Sequence, residues 1–368
     1  MSTTTPDVGS APGNSAIADD VLLDVRGLRT SFSTDDGEIR AVDGVDLTIR
    51  RGRTLCVVGE SGCGKSMTAR SILQLVEPPG RVVDGEILLR DPAPNARQPV
   101  VDLARLPPGG REIRAVRGKT ISMIFQEPMA SLSLVHRVGS QIAESLRVHL
   151  PLTRRAARDR AIDLLGQVGI PSPRRVVDTY PFQLSGGMRQ RVMIAMALSC
   201  EPHLLIADEP TTALDVTTQA QIMDLLVDLQ ASRDMAIMFI THDMGVVAEL
   251  ADDVAVMYLG TVVEKGPVDA IFHDPQHPYT RALLETVPRI GVTTGGRLRT
   301  ITGTVPDARS RGPGCVFRDR CDAAMPGVCD AVRPPPIEIA TDRQVRCLLH
   351  GGAEDVGHPE NEGSADVA

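Results

Sequence analysis

Tryptophan is absent from this chain, and aromatic residues of all kinds make up 2% of it. Few positions can therefore stack a ring on a ligand, and Phe32 is the only one ahead of residue 59. No apolar run approaches the roughly eighteen residues of a membrane span, so any action at a membrane needs a span from another chain. Met1 to Asp20 holds no Lys, no Arg and no apolar block. The expectation is a cytoplasmic protein without a secretory leader. No long basic run offsets the net charge of −8, which argues against nucleic acid as the main partner. None of the seven cysteines forms a tight C-x₂₋₄-C pair of the kind zinc sites use.

What is present is organised around Gly59-Glu60-Ser61-Gly62-Cys63-Gly64-Lys65-Ser66. The run Leu55 to Val58 reads as a short buried strand and Ser66 to Val76 as a helix. Between them lies the form G-x-x-x-x-G-K-[ST], a loop that wraps backbone N–H groups around phosphate. The following helix turns its positive end to the same anion. Lys65 can reach the β- and γ-phosphates, and Ser66 can ligate Mg²⁺.

Residues 1–19 and 351–368 have the composition of disordered tails. Val21 to Arg50 alternates as strands about a turn at Asp35 to Gly37, and Arg81 to Leu89 reads as a further strand. Asp91 to Gly110 is Pro-, Gly- and Ala-rich and reads as an irregular insertion. Apolar strands at Thr120 to Phe125, Leu204 to Ala207, Met235 to Ile240 and Val254 to Tyr258 alternate with helical patterns. These lie at Gln141 to Leu150, Thr153 to Val168, Gly187 to Ser199 and Val216 to Gln230. That order predicts an α/β fold with a largely parallel sheet covered on both faces.

Two further motifs carry chemistry. The strand Leu204 to Ala207 runs into Asp208-Glu209. Asp208 is placed to hold Mg²⁺ beside Ser66, and Glu209 to polarise a water aimed at the γ-phosphate; a solvated acidic pair is the plainer reading. Leu184-Ser185-Gly186-Gly187-Met188-Arg189-Gln190 opens a helix. Ser185 is most simply its N-cap, but such a helix end is also an anion site. One chain has no obvious use for two phosphate cradles.

With these motifs the chain resembles the nucleotide-binding subunit of an ATP-binding cassette (ABC) transporter. Gly59 to Ser66 matches Walker A, Leu204 to Glu209 Walker B, and Leu184 to Gln190 the ABC signature. Gln126 matches the Q-loop, Asp215 the D-loop (although it is also a good N-cap), and His242 the switch histidine. The resemblance implies a P-loop NTPase cassette with a RecA-like core, an antiparallel β subdomain and a helical subdomain at about 127–200. The whole would span residues 20–285. It implies ATP bound by Phe32 through adenine and by Gly59, Glu60, Ser61, Gly62, Cys63, Gly64, Lys65, Ser66 and Met67. It implies Mg²⁺ on Ser66, Gln126 and Asp208, and catalysis by Glu209, His242, Gln126 and Lys65. Ser185, Gly186, Gly187 and Gln190 would face ATP held by a second cassette, a paralogue or a copy of this chain.

The segment Phe272 to Arg281, then Ile301 to Pro306 and Gly314 to Cys321, resembles the C-terminal extension (286–350) of the oligopeptide/dipeptide and nickel importer ATPases. That branch implies two transmembrane permease subunits, an indirectly linked extracytoplasmic solute-binding protein, and a peripheral place on the cytoplasmic face of the membrane. Nickel or another small solute is the alternative cargo. A soluble ABC ATPase acting on DNA or ribosomes is disfavoured by the single P-loop and the lack of sustained heptads. One departure from the branch is Ser133-Leu134, where it usually has Asn-Pro. Cys315, Cys321, Cys329 and Cys347, spaced C-x₅-C-x₇-C-x₁₇-C, suit a [4Fe–4S] cluster, such as members of the branch with these cysteines carry. Zinc or free thiols are the other readings.

Overall fold

A computed structural model describes residues 17–35, 37–91, 100–126, 131–212, 214–286, 301 and 303–351. Both tails expected at 1–19 and 351–368 lie almost wholly outside the described residues. The strands are β1 (Val21–Thr34), β2 (Gly37–Arg50), β3 (Thr54–Val58), β4 (Gly80–Arg90), β5 (Val100–Asp102), β6 (Ile121–Ile124), β7 (Leu204–Asp208), β8 (Ala236–Thr241), β9 (Asp253–Tyr258), β10 (Thr261–Pro267), β11 (Ile337–Ala340) and β12 (Arg343–Val345). The α-helices are α1 (Lys65–Ile72), α2 (Arg111–Val116), α3 (Val138–His149), α4 (Arg154–Gln167), α5 (Pro173–Val176), α6 (Gly186–Ala197), α7 (Val216–Arg233), α8 (Met244–Leu250), α9 (Val268–His273) and α10 (Pro278–Glu285).

Two sheets result. One is antiparallel, in the order β2-β1-β4-β5. The other runs β11-β12-β10-β9-β3-β8-β7-β6, with β9, β3, β8, β7 and β6 parallel and β10 and β12 antiparallel at one side. Every residue of β3, β7 and β8 is buried, so these strands read as unbroken apolar runs rather than alternating ones. Their side chains still alternate between two cores. Leu55 and Val57 of β3, with Leu204 and Ile206 of β7, join the cluster shared with the antiparallel sheet and α1. Cys56 and Val58, with Leu205 and Ala207, join the cluster shared with α3, α4, α6 and the C-terminal segment. Each fully buried Leu, Ile or Val contributes about 1.5–3 kcal/mol, and the period of two commits strand register on both faces.

The ends of elements follow from single residues. Thr153 caps α4, Ser185 caps α6 and Asp215 caps α7, each accepting a backbone N–H. The stretch 91–110 departs from the irregular insertion expected of it. Val100 to Asp102 pairs with Leu88 to Arg90 as an edge strand. The Asp102 carboxylate accepts the Ile87 N–H at 3.0 Å, and Leu103 is fully buried. Two valines and one buried leucine outweigh the surrounding prolines; residues 92–99 lie outside the described residues.

Candidate nucleotide site

The loop after β3 is shaped by its glycines. Gly59 has φ +147° and Gly64 φ +97°. A Cβ on Gly59 would stand 2.2 Å from the Met257 carbonyl oxygen, and one on Gly64 2.5 Å from that of Ala41. Only glycine meets both the conformation and the space. Ser61 and Gly62 are exposed while Cys63 is buried. Burial raises the Cys63 thiol above its ordinary range, so its sulfur is no reactive group here. Lys65 is buried, and its Nζ donates to the carbonyls of Gly59 at 2.7 Å and Glu60 at 3.1 Å. Met67 packs against the core.

The carboxylates arrive on β7. Ser66 Oγ donates to Asp208 Oδ1 at 2.8 Å, joining positions 142 residues apart. Asp208 is buried, and burial together with the charge of Glu209 raises its pKa, against the lowering effect of the Ser66 hydrogen bond. A hydroxyl and a carboxylate side by side are the hard oxygen donors magnesium takes, so these residues fit that ion.

Glu209 leaves the strand with φ +46°. Among the described residues, three side chains meet its carboxylate. Gln126 Nε2 donates to Oε2 at 3.1 Å, Thr212 Oγ1 donates to the same oxygen at 3.0 Å, and His242 Nδ1 lies 3.4 Å from Oε1. The Glu209 side chain is 11% exposed and that of His242 64%. The carboxylate is thus largely covered, with the exposed His242 ring at its outer side. Of the expected set, Gln126, Asp208, Glu209 and His242 lie at or just beyond the C-terminal ends of the parallel strands β6, β7 and β8, while Lys65 and Ser66 open α1 after the loop that follows β3. Thr212 was not singled out from the sequence. Its only signal was its place three residues beyond Glu209.

Other expected residues lie elsewhere. Phe32 is half-buried at the end of β1, paired with Ile39 and Gly80, and its ring lies against Gly80. Ser185 accepts the Met188 N–H at 3.3 Å as the N-cap of α6, with Gly186 exposed beside it. Asp215 is likewise a cap, accepting from the Thr218 N–H at 2.9 Å and its hydroxyl at 2.7 Å. Gln190 lies further into the same helix. It is 1% exposed, with its amide nitrogen unpartnered among the described residues. One turn into α6, it faces the core.

None of the four C-terminal cysteines is in a disulfide. They share one neighbourhood: burial, then the charges of Cys329, Cys347 and Cys321, push the Cys315 thiol up to about 11. Among the described residues no three His, Cys, Asp or Glu side chains are gathered as a metal-holding group.

Glu60, in contrast, is tied to the C-terminal segment. Arg320 Nη1 and Nη2 contact its carboxylate oxygens at 2.6 and 3.0 Å.

Comparison with known proteins identifies the family. Residues 42–212 match the model of the ABC transporter family, and residues 263–329 that of the oligopeptide/dipeptide transporter C-terminal region. The chain is 48% identical to the oligopeptide transport ATP-binding protein OppD of Bacillus subtilis, over 92% of each chain. It is 45% identical to the dipeptide transport ATP-binding protein DppD of Escherichia coli, over 92% of this chain and 99% of that one. Among solved structures it is similar to the dimeric MJ0796, a bacterial ABC transporter cassette, with a TM-score of 0.58 and 25% identity, covering 67% of this chain and 99% of that one. A post-hydrolysis state of the same cassette, bound to ADP and Pi, matches equally well.

Proposed function

We infer the function from one premise: the chain belongs to the ABC transporter family, in the branch that carries the oligopeptide/dipeptide transporter C-terminal region. It is the ATP-hydrolysing subunit of a membrane importer, and ATP turnover on it drives uptake of di- and oligopeptides. The relatives named above are dipeptide and oligopeptide proteins, which favours peptide over nickel as cargo. No helix among the described residues is long and apolar enough to cross a membrane. Permease subunits therefore supply the span, and we place this chain peripherally on the cytoplasmic face.

The observation that carries the reading is the convergence of Gln126, Thr212 and His242 on Glu209 beside the Ser66–Asp208 pair. In our reading the loop amides of residues 60–66 and the N-terminus of α1 hold the phosphates. Lys65 exchanges its carbonyl partners for the β- and γ-phosphate oxygens. Ser66, Asp208 and Gln126 would hold magnesium, which would neutralise charge on those oxygens. Glu209 accepts a hydrogen bond from the attacking water, and His242, Gln126 and Thr212 fix the carboxylate's direction. Phe32 supports the adenine. The exposed α6 end with Ser185, Gly186 and Gly187 closes over the γ-phosphate on a second cassette, and Asp215 lies at that contact.

We further propose the division into a cassette at 20–285 and an extension at 286–350, joined through the pairing of β12 with β10. The [4Fe–4S] cluster on Cys315, Cys321, Cys329 and Cys347 is a proposal supported by their shared neighbourhood alone. Iron and sulfide assayed in protein purified without oxygen test it, and an iron-free preparation discards it. The function itself is tested by reconstituting the chain with its permeases in vesicles. Peptide uptake should require ATP and stop in Glu209→Gln; uptake indifferent to that change removes the reading.

A further inference from the structure

The second residue of the phosphate loop is an acid, and nothing in the phosphate-binding reading explains it. A free carboxylate beside Gly59 would repel a triphosphate. Glu60 is not free. Arg320 reaches it from 260 residues away, from the single turn Arg318–Arg320 that precedes Cys321. Both guanidinium Nη atoms engage both carboxylate oxygens, and the Arg320 side chain is only 4% exposed. The same guanidinium donates to the Tyr258 hydroxyl at 3.4 Å and the Gly303 carbonyl at 3.3 Å, and lies 5.8 Å from the centre of the Tyr258 ring.

The backbone of Glu60 is held as well. Its N–H donates to the Tyr279 hydroxyl at 3.0 Å, and its carbonyl accepts from Lys65. Behind these contacts the rings of Tyr258, Tyr279 and Phe317 pack with centroids 4.8–5.3 Å apart. A chain with three tyrosines and six phenylalanines thus places three of the nine on one joint between loop and extension.

We propose that Arg320 is a positioning residue for ATP binding: it neutralises Glu60 and holds its carboxylate away from the phosphates, so that the C-terminal extension sets the affinity of the loop. The proposal rests on reading the loop as an ATP site. A paired acid costs the site little, whereas an acid stripped of its partner adds a negative charge where an anion must bind. The two residues therefore make opposite predictions. Removing the arginine alone should weaken ATP binding; removing the acid's charge as well should restore it.

The test is steady-state ATP hydrolysis and nucleotide binding by the full chain, in wild type, R320A, E60Q and E60Q/R320A. R320A should raise KM for ATP about tenfold, with kcat within about twofold of wild type. E60Q/R320A should return KM to within about twofold of E60Q. R320K should fall between, since an ammonium keeps the charge but not the two-pronged contact. A purely structural loss of the extension lowers kcat through the folded fraction and is not rescued at Glu60. R320Q is made alongside with the same expectations, so that a misfolded R320A leaves the test standing. An unchanged KM in R320A or R320Q, or a double variant no better than the single, overturns the proposal. A wild-type chain that does not bind ATP at all would instead remove the reading of the loop itself.

Discussion

The Gln126 amide donates to Glu209 Oε2 at 3.1 Å, across 83 residues of chain. Gln126 stands just beyond β6 and Glu209 just beyond β7, and these neighbouring parallel strands pair from Ile121 with Leu204 to Ile124 with Ala207. Register therefore fixes the approach of the two side chains. Replacing Glu209 with Gln keeps a polar group of the same size but takes away the acceptor for a water proton. Hydrolysis should fall by about a hundredfold or more, with ATP affinity near wild type. Turnover within about threefold of wild type would take Glu209 out of the reaction.

Thr212 gives a finer test of the same carboxylate. Its hydroxyl donates to the oxygen that Gln126 also contacts. Thr212→Ala removes one of these donors and lets the carboxylate turn. The loss of about 1 kcal/mol of alignment should slow kcat about fivefold and leave KM for ATP unchanged. Thr212→Ser, which retains the hydroxyl, should recover most of the rate. If the alanine and serine variants behave alike, the hydrogen bond has no part in orienting Glu209.

Much of this site could be read in advance because its parts are local. A strand, a glycine loop and Lys65-Ser66 point to a phosphate cradle within the twelve residues Leu55 to Ser66, and Asp208-Glu209 follow a plainly apolar strand. What stayed hidden depends on the third dimension. Thr212 meets Glu209 only because Glu209 takes a positive φ and the chain doubles back. Gln190 belongs to the same motif as Ser185, and its place one helical turn past the cap, which sets it on the core face, follows from the fold. Arg320 and Glu60 are 260 residues apart, and no spacing rule connects them. The strand Val100–Asp102 was masked by prolines whose neighbours pack regardless.

Gly64 tests the loop's geometry rather than its chemistry. Its φ of +97° is adverse to any side chain, and a Cβ would come within 2.5 Å of the Ala41 carbonyl oxygen and 3.2 Å of Gly260 Cα. Both neighbours are backbone and cannot step aside. Gly64→Ala should cost about 2–4 kcal/mol of unfolding free energy and abolish nucleotide binding. Denaturant titration with and without ATP reads both. A midpoint equal to wild type would show that the loop bends more easily than its φ values imply.

Asp208 should show function opposing stability. Its pKa is raised by burial and by Glu209, so the folded state binds a proton more tightly than the unfolded state does. The sign follows. The group's favourable contribution is complete below its unfolded pKa of 3.8 and is lost as pH rises through the raised folded value. At neutral pH the buried charge is therefore a cost. Asp208→Asn keeps an acceptor for Ser66 and removes that charge. The nucleotide-free variant should melt about 1–3 °C higher than wild type at pH 7, while magnesium-dependent hydrolysis disappears. A lower melting temperature would mean that the carboxylate's hydrogen bond outweighs its burial.

His277 carries the opposite sign and should contribute to acid sensitivity. It caps α10: Nδ1 accepts the Tyr279 N–H at 3.0 Å, and its own N–H donates to Glu264 Oε2 at 2.8 Å. The residue is 1% exposed. Burial first, then the nearby His350 and Arg281, bring its pKa down to about 3. Between the unfolded value of 6.5 and that folded value, the unfolded chain takes a proton that the folded chain refuses. Stability from this group is complete above 6.5 and drains away as pH falls. Going from pH 7 to pH 5 should therefore cost up to about 2 kcal/mol through this residue, or roughly 2–6 °C in melting temperature. His277→Asn keeps a capping acceptor but does not titrate. It should start lower at pH 7, because the smaller side chain leaves space beside Phe317, and then lose less on acidification. What decides the matter is the difference in melting temperature between the two pH values, compared across the two proteins. Equal differences would place the acid sensitivity on another group, and a flatter profile in the variant assigns it to the buried imidazole at the base of the joint that holds Tyr279 against the phosphate loop.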